Sequence, residues 1–157
     1  MSVRRGVVLG AAAGAAGTTA LNAVTYLDMA IRGRPASSAP ESTVEKLAGR
    51  LHLAVPGNDE TRRNRLSGLG PLSGLAAGLG VGVLMGLTRS AGWRPGTVVT
   101  ALAASLSALA GSNGPMTVLG ITDPRTWAVD DWVSDVVPHL AYGAVTAAVL
   151  EALDRRR

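Results

Sequence analysis

Apolar residues along the chain gather into four long runs that are separated by polar stretches. The runs cover residues 6–31, 66–87, 95–113 and 132–153. Each has about 20 residues and few charges, and an α-helix needs that length to cross the hydrocarbon core of a bilayer. The pattern therefore predicts an all-α, polytopic membrane protein, with one membrane domain (1–157) that contains four transmembrane helices.

Residues typical of a membrane surface lie at the ends of these runs. Arg4 and Arg5 precede the first run, and Trp93, Trp127 and Trp132 lie at run boundaries. Amphipathic indole rings settle at the level of the lipid headgroups. The ends of the runs therefore agree with the predicted spans.

The first run shares its basic start with secretory signal peptides. A cleavable signal has a short apolar core followed by small, neutral residues at the cleavage site. Here the apolar character continues beyond that length, and Asn22 and Asp28 lie where the cleavage site would fall. We therefore expect the first helix to remain in the protein as a membrane span.

The polar connector between the first two runs predicts an extended segment and then an amphipathic helix. Residues 32–41 are rich in Pro and Ser, and Ser42 with Glu45 matches a capping box. Apolar residues follow at helical spacing, which predicts a helix over 42–55. This helix either lies on the membrane surface or docks on the bundle. Asn58, before two acidic residues, predicts the start of a helix that continues into the second run.

Small residues recur every four positions within the apolar runs. The second run contains Gly70, Gly74, Gly78, Gly82 and Gly86, and the first contains Gly6, Gly10 and Gly14. Glycine costs a helix in water about 1 kcal/mol relative to alanine, but in lipid it lets two helix backbones approach closely. We expect a glycine zipper, within one four-helix bundle or between copies of the chain. The expected packing residues are Gly10, Gly14, Gly74, Gly78 and Gly82.

Composition and charge narrow the possible partners. The chain has 20 Gly and no Phe, a poor composition for a water-soluble core, and its net charge is +4. Basic residues flank the apolar runs and are not interleaved with aromatic residues, which favours the lipid bilayer as a partner and disfavours nucleic acid. The absence of Cys excludes disulfides, Cys-ligated zinc and thiol chemistry.

The orientation in the membrane depends on where the basic residues lie. In the predicted topology they divide into seven on one side and eight on the other, so the positive-inside rule does not decide between the two orientations. The Arg pair before the first helix and the three arginines at residues 155–157 favour cytoplasmic termini. We therefore expect a multi-pass protein of the bacterial plasma membrane, the inner membrane, with both termini in the cytoplasm.

Few strongly polar residues interrupt the runs, and antiparallel helices would place them at one membrane face. They are Asn22, Tyr26, Asp28, Asp135 and His139. Polar groups in lipid are costly and usually face the interior of a bundle. Asp135 and His139 are four residues apart and so share a helix face. We predict a polar cluster there, with Arg32, Arg62 and Arg65 as candidate contacts for a lipid headgroup.

The Asp135–His139 pair has four possible interpretations. It is a hydrogen-bonded pair that fixes helix register and is completed by Asn22 or Tyr26, a proton- or ligand-binding site, a lipid headgroup site, or a catalytic pair. No Gly-x-Ser-x-Gly or His-Glu-x-x-His motif is present. One His with scattered Asp residues also offers few ligands for a metal. We expect no catalytic residues, no metal and no cofactor.

The expected function is therefore that of a structural or partner-binding membrane subunit, which is not an enzyme. Its partner would be another membrane protein or a second copy of the chain. The alternative is a small transporter-like or lipid-binding protein that uses the polar cluster.

Two stretches carry a resemblance to known proteins. The sequences NAVTYLDMAIRGRPASS at 22–38 and VVPHLAYG at 136–143 resemble small, uncharacterised integral membrane proteins of actinobacteria. The last helix alone is similar to the YagU-type inner-membrane family. Neither family has an established reaction, so the resemblance implies a location and an architecture but no activity.

Overall fold

The computed structural model of the protein describes residues 1–155, and these form five α-helices and one short 3-10 helix. The helices are α1 (Val3–Arg32), α2 (Ala39–Arg50), α3 (Asp59–Ser90), α4 (Thr97–Val118) and α5 (Val129–Arg155), and the 3-10 helix (Pro124–Thr126) precedes α5. The predicted all-α class is confirmed.

Three of the helices are long and apolar enough to cross a membrane. They are α1, α3 and α5. The sequence predicts a fourth span in α4, but α4 is not among the three. Polar residues in its second half, such as Ser112 and Asn113, lower its hydropathy.

The four long helices are antiparallel to their neighbours in the bundle. α1 packs against α3 on one side and α5 on the other, α4 packs against α5, and α2 lies on α3. We call the end with residues 33–38, 51–58 and 119–128 the loop end. The opposite end, with residues 1–2 and 91–96 and the last turn of α5, is the terminal end.

Small side chains face the inside of this bundle and many large apolar side chains face outwards. Ala13, Ala104 and Ala147 are completely buried, whereas Val8 and Leu106 are each 65% exposed. A soluble protein rarely exposes so many large apolar side chains. The distribution suits a bundle whose outer surface meets lipid and whose helices associate through close packing.

The backbones of α1 and α3 meet along a row of glycines, which we call the α1–α3 seam. A Cβ atom at Gly6 would lie 2.7 Å from the carbonyl oxygen of Gly86, and one at Gly14 would lie 2.6 Å from that of Gly78. Between these two contacts, Gly10 and Gly82 oppose each other in the same way. Real Cβ atoms do not approach so closely, so the seam requires glycine at these positions.

The glycines nearer the start of α3 have different neighbours. A Cβ atom at Gly70 would lie 3.0 Å from the backbone nitrogen of Glu41 in α2. At Gly74, which the sequence predicts as a packing residue, no atom of the described chain outside the adjacent backbone of α3 lies within 4 Å of that position. The row turns around the helix because a spacing of four residues advances by about 40° at each step. Gly74 therefore faces away from α1 and lies outside the seam.

Tyr142 in the middle of α5 joins three helices. It is 1% exposed, its ring lies against Gly17 of α1, and its hydroxyl donates a 2.6 Å hydrogen bond to the carbonyl oxygen of Gly78 in α3. The next residue, Gly143, contacts Ser105 of α4. α5 thus contacts α1 and α4 through small residues, and in the middle of the bundle it reaches α3 through the Tyr142 phenol.

The helix in the connector differs from the prediction. α2 covers Ala39–Arg50 and not 42–55, its N-cap is Ser38, and Ser42 lies inside the helix, where its N–H bonds to the carbonyl oxygen of Ser38. Pro40 explains the earlier start, because proline suits the first turn of a helix. Glu45 pairs with Arg62 of α3 and therefore does not close a capping box.

Two further helix boundaries bear on the site. Asn58 caps α3 as predicted, because its side chain accepts a 2.9 Å hydrogen bond from the Thr61 N–H. The third run is predicted to end at 113, but α4 continues through Pro115 to Val118. Pro115 leaves the carbonyl oxygen of Gly111 without its usual donor, but the helix hydrogen bonds resume after it. Ser112 and Asn113 are therefore held on a regular helix and not in a loop.

Candidate functional site

Asp135 and His139 lie on the face of α5 that meets the second half of α4. The Asn113 side-chain amide donates a 2.7 Å hydrogen bond to Asp135 Oδ2, and Ser112 Oγ lies 3.2 Å from His139 Nε2. His139 is 8% exposed, and its Nδ1 lies 3.5 Å from Asp135 Oδ1. The two helices thus bring four polar side chains into one hydrogen-bonded group.

The contacts of the imidazole define where its protons lie. His139 Nδ1 is 2.7 Å from the carbonyl oxygen of Asp135, which accepts only, so Nδ1 carries a proton. Nε2 of the neutral ring must then accept from the Ser112 hydroxyl. The same hydroxyl also lies 3.0 Å from the carbonyl oxygen of Ala108, to which it donates when the ring is charged. Ser112 can therefore accommodate either protonation state of His139.

Pro138 opens the backbone next to this group. Proline has no N–H, so the carbonyl oxygen of Ser134 loses its usual helical donor. The Ser134 hydroxyl does not replace this donor, because it donates to the carbonyl oxygen of Asp130, at 2.7 Å. The site therefore has, in addition to its side chains, one backbone acceptor that lacks its usual helical donor.

A cavity of about 420 Å³ adjoins these residues at the loop end; we call it the His139 cavity. Its polar lining comprises Thr25, Arg32, Arg34, Ser37, Ser112, Asn113, Thr122, Asp131, Ser134, Asp135 and His139. Trp127 lines it from the loop before α5, where its indole N–H donates to Thr122 Oγ1 at 2.7 Å. The volume suits a small molecule or a headgroup, since ligand pockets begin at about 300 Å³.

Two arginines at the end of α1 provide positive charge to the cavity. Asp28 forms ion pairs with Arg32, at 3.0 Å, and with Arg34. Arg32 also donates a 2.7 Å hydrogen bond to Ser134 Oγ of α5. Asp28 does not join Asp135 and His139, and its carboxylate instead positions the guanidinium groups. The lining thus places Arg32 and Arg34 in the same cavity as Asp135.

The other predicted members of the polar cluster lie elsewhere. Asn22 and Tyr26 face outwards on α1, and Tyr26 is 62% exposed. Within residues 1–155 they neither complete the Asp135–His139 pair nor line the cavity. Leu21 and Thr25 are four residues apart and line the cavity from one face of α1, whereas Asn22, one residue after Leu21, lies about 100° further around the helix. The antiparallel topology places Asn22 and Tyr26 at the same end of the bundle as Asp135 and His139. The orientation of α1 about its axis, however, turns Asn22 and Tyr26 away from that pair.

Two of the three predicted headgroup contacts also lie apart from the cavity. Arg62 pairs with Glu45, and Arg65 donates to the carbonyl oxygen of Pro56. Both arginines therefore attach α3 to the connector. Only Arg32 of the predicted three lines the cavity.

Sequence reasoning did not name Ser112, Asn113 or Arg34 as site residues, although the antiparallel topology places Ser112 and Asn113 at the same membrane face as the predicted cluster. The signal in the sequence was the polar SNGP stretch, residues 112–115, which the prediction assigned to the end of a helix. Proline in two facing helices, at 115 and 138, also marks the region where two backbone acceptors lose their usual helical donors.

The arrangement offers hydrogen-bond donors and acceptors to a ligand, and the described residues do not form a metal-binding group. No group of three or more His, Asp or Glu residues in the described chain could hold a metal ion. The cavity offers guanidinium and amide donors, carboxylate acceptors and one imidazole. These groups suit a small polar ligand that carries both charges, or a proton.

Comparisons of this chain with protein-family models, with curated proteins and with solved structures found no match. Function is therefore inferred from the geometry of the site.

Proposed function

We propose that this chain is a non-catalytic, four-span protein of the bacterial plasma membrane that binds a small zwitterionic molecule in the His139 cavity. The spans are α1, α3, α4 and α5, the α1–α3 seam acts as a glycine zipper, and both termini are cytoplasmic. Such a site belongs to a transporter-like or lipid-binding protein. The cavity next to Asp135 and His139 is the observation that carries this proposal.

The alternative for Asp135 and His139 is a purely structural pair. A hydrogen-bonded pair that only fixes helix register stabilises the bundle most when packed side chains exclude water from it. Hydrogen bonds are strongest in such a low-dielectric interior, where leaving the polar groups unpaired would be costly. Here the pair borders open volume and shares it with two arginines from α1 and the connector. This placement supports ligand binding.

The charges of the lining favour a zwitterion. Arg32 and Arg34 line one part of the cavity, and Asp131 and Asp135 line another. A guanidinium fork matches a phosphate or carboxylate, and a carboxylate matches an ammonium group. O-phosphoethanolamine carries both groups and is also the headgroup of a common phospholipid, so it is a suitable probe.

The two histidines of the chain provide a direct test. His139 lines the cavity, whereas His52 lies in the exposed turn after α2. In detergent, O-phosphoethanolamine should shift the imidazole NMR signals of His139 and leave those of His52 unchanged. Asp135→Asn should weaken this binding about tenfold, as expected for the loss of a charged hydrogen-bond partner.

Asp59→Asn is the matched control, because it removes the same charge at the loop end in an exposed residue outside the cavity. Equal shifts of both histidines, or no shift together with a loss of stability in Asp135→Asn alone, would favour the structural pair.

A second candidate function is that of a subunit that binds a membrane partner or a further copy of the chain. The outer face of α1 supports it. Asn22 and Tyr26 are one turn apart and both exposed. An amide on a lipid-facing surface is costly unless another helix accepts its hydrogen bonds. Asn22→Leu should then abolish cross-linking between chains or to the partner in native membranes; unchanged cross-linking would contradict this function.

A further inference from the structure

We propose that the terminal end holds a second site, which binds a phosphate group. The site is a cavity of about 340 Å³ formed by the end of α3, the turn before α4 and the last turn of α5, and we call it the Arg89 cavity. It lies at the opposite end of the bundle from the His139 cavity and shares no residue with it.

Arg89 is the most deeply buried charge in this cavity. It is 7% exposed and occupies the last turn of α3. Its Nη1 lies 3.5 Å from Asp154 Oδ2, the outer limit for a hydrogen bond, and its Nε is buried without a partner among residues 1–155. A buried guanidinium with unused donors is costly. A ligand that only accepts hydrogen bonds would remove this cost.

Arg94 places a second guanidinium beside the first. Its Nη1 donates a 2.8 Å hydrogen bond to Asp154 Oδ2, so one carboxylate oxygen is shared between Arg94 and Arg89. The Asp154 side chain is itself 10% exposed and holds both arginines at the cavity wall. Two guanidinium groups around one carboxylate leave positive charge that is not compensated.

The first turn of α4 contributes backbone donors to the same cavity. Gly96 is the N-cap and has no side chain to accept the free N–H groups of that turn. Gly96 and Thr97 line the cavity together with the two arginines. The positive end of the helix dipole and its free N–H groups favour an anion at this position.

The remaining carboxylate in the cavity is already occupied. Glu151 accepts hydrogen bonds from the Thr97 hydroxyl and from Arg155. The lining therefore has three basic and two acidic side chains, and its net charge is positive. Guanidinium groups and helix N–H donors are the usual recognition elements for phosphate. The phosphodiester of an anionic lipid and free inorganic phosphate share this chemistry.

The test measures binding of three probes to the full chain in a neutral detergent. Dioctanoyl phosphatidylglycerol represents the lipid source, inorganic phosphate the free anion, and dioctanoylglycerol has the same acyl chains without phosphate. Binding of either phosphate-bearing probe without binding of dioctanoylglycerol supports the site and identifies the source. Equal binding of dioctanoylglycerol, or no binding of any probe, overturns the proposal.

Arg94→Gln should weaken binding of the phosphate-bearing probe about tenfold, since it removes one charged donor. Arg4→Gln is the matched control, because Arg4 lies at the same end of the bundle outside the cavity. It should change the affinity less than about twofold, as expected for an exposed charge. Equal losses in the two variants would show general attraction to positive charge and would overturn the site.

Two variants at the first residue of α4 separate a binding role from a structural role. Thr97→Ala and Thr97→Pro both remove the hydroxyl that bonds Glu151, but only proline also removes the backbone N–H. Proline is tolerated at this position, and Gly96 before it has the extended backbone (ψ 163°) that proline requires. Weaker binding by Thr97→Pro than by Thr97→Ala supports the proposal. Equal binding by the two variants would contradict the role of the helix N-terminus.

Discussion

Glycine at single positions determines how closely α1 and α3 approach. The α1–α3 seam brings the Gly10 and Gly82 backbones into direct contact, and a Cβ atom at Gly82 would lie 2.6 Å from the Gly14 nitrogen. Gly74 is in the same helix and the same sequence repeat, but it has open space around it. The contribution of a glycine to helix packing therefore depends on whether the backbone of another helix opposes it. The four-residue repeat alone does not show this.

Gly82→Ala and Gly74→Ala are a matched pair that tests the seam. Both changes raise helix propensity by about 1 kcal/mol in water. We expect Gly82→Ala to lower the free energy of unfolding by about 1–3 kcal/mol, because the methyl group forces the two helices apart. Gly74→Ala should be neutral or stabilising. Unfolding in mixed dodecylmaltoside and SDS micelles, followed by circular dichroism, measures both, and equal effects would contradict the seam.

At the scale of the element, α3 contacts a different neighbour at each part of its length. Its first turns bind the connector through Arg62 and Arg65, Gly70 meets α2, and Gly78–Gly86 meets α1. The cap at Asn58 holds the start of this helix outside the apolar run. The helix is therefore longer than its apolar run, and its polar start positions α2 on the bundle.

Asn58→Ala and Ser42→Ala distinguish a real helix cap from a sequence match to one. Loss of the Asn58 side-chain acceptor should cost about 1 kcal/mol and speed amide exchange in the first turn of α3. Ser42 lies inside α2, where alanine is a better helix former, so Ser42→Ala should leave the stability unchanged or slightly raised. Hydrogen exchange with mass spectrometry measures the amide exchange rates of α2 and α3 in both variants. Faster exchange of α2 in Ser42→Ala would mean that the capping box operates after all.

At the scale of the whole molecule, the polar sites lie at opposite ends of a bundle with small residues inside. The long helices follow the order α3, α1, α5, α4, so α5 lines both cavities, through Asp135 and His139 at one end and Glu151 and Asp154 at the other. α1 and α5 meet at Gly17 and Tyr142 between the two ends. The two cavities are therefore separated by this close contact in the middle of the bundle.

The absence of native Cys allows the sides of the membrane to be tested directly. With four spans, Cys at position 37 and at position 126 should react with a membrane-impermeant maleimide from the same side. Cys at position 91 should react only from the other side, which we expect to be the cytoplasm. Reaction at 37 and 126 from opposite sides of intact cells would mean that α4 does not span the membrane, whereas reaction at 91 from outside would reverse the orientation.

The sequence predicted the residue types of the site better than their grouping. The spacing of Asp135 and His139 placed them on one face of a helix, and the structure has them there. The choice of partners failed because it required the rotation of α1 and the continuation of α4 past Pro115. Asn22 and Tyr26 were assigned to the cluster by depth alone, whereas Ser112 and Asn113 occupy that position. The depth of a residue along the helix axis follows from counting residues. The orientation of the helix about that axis depends on which of its faces pack against other helices.

The sequence by itself determined the helical class, the three long apolar helices and the chemistry available at each end. The length of each apolar run and the positions of the charges are properties of the chain itself. They do not depend on contacts between helices. Only the tertiary structure decided which glycines oppose a backbone, which arginines line a cavity and that Arg89 is buried beside Arg94. These features arise from contacts between residues far apart in the chain, and in a bundle of small residues a modest rotation of a helix changes all of them.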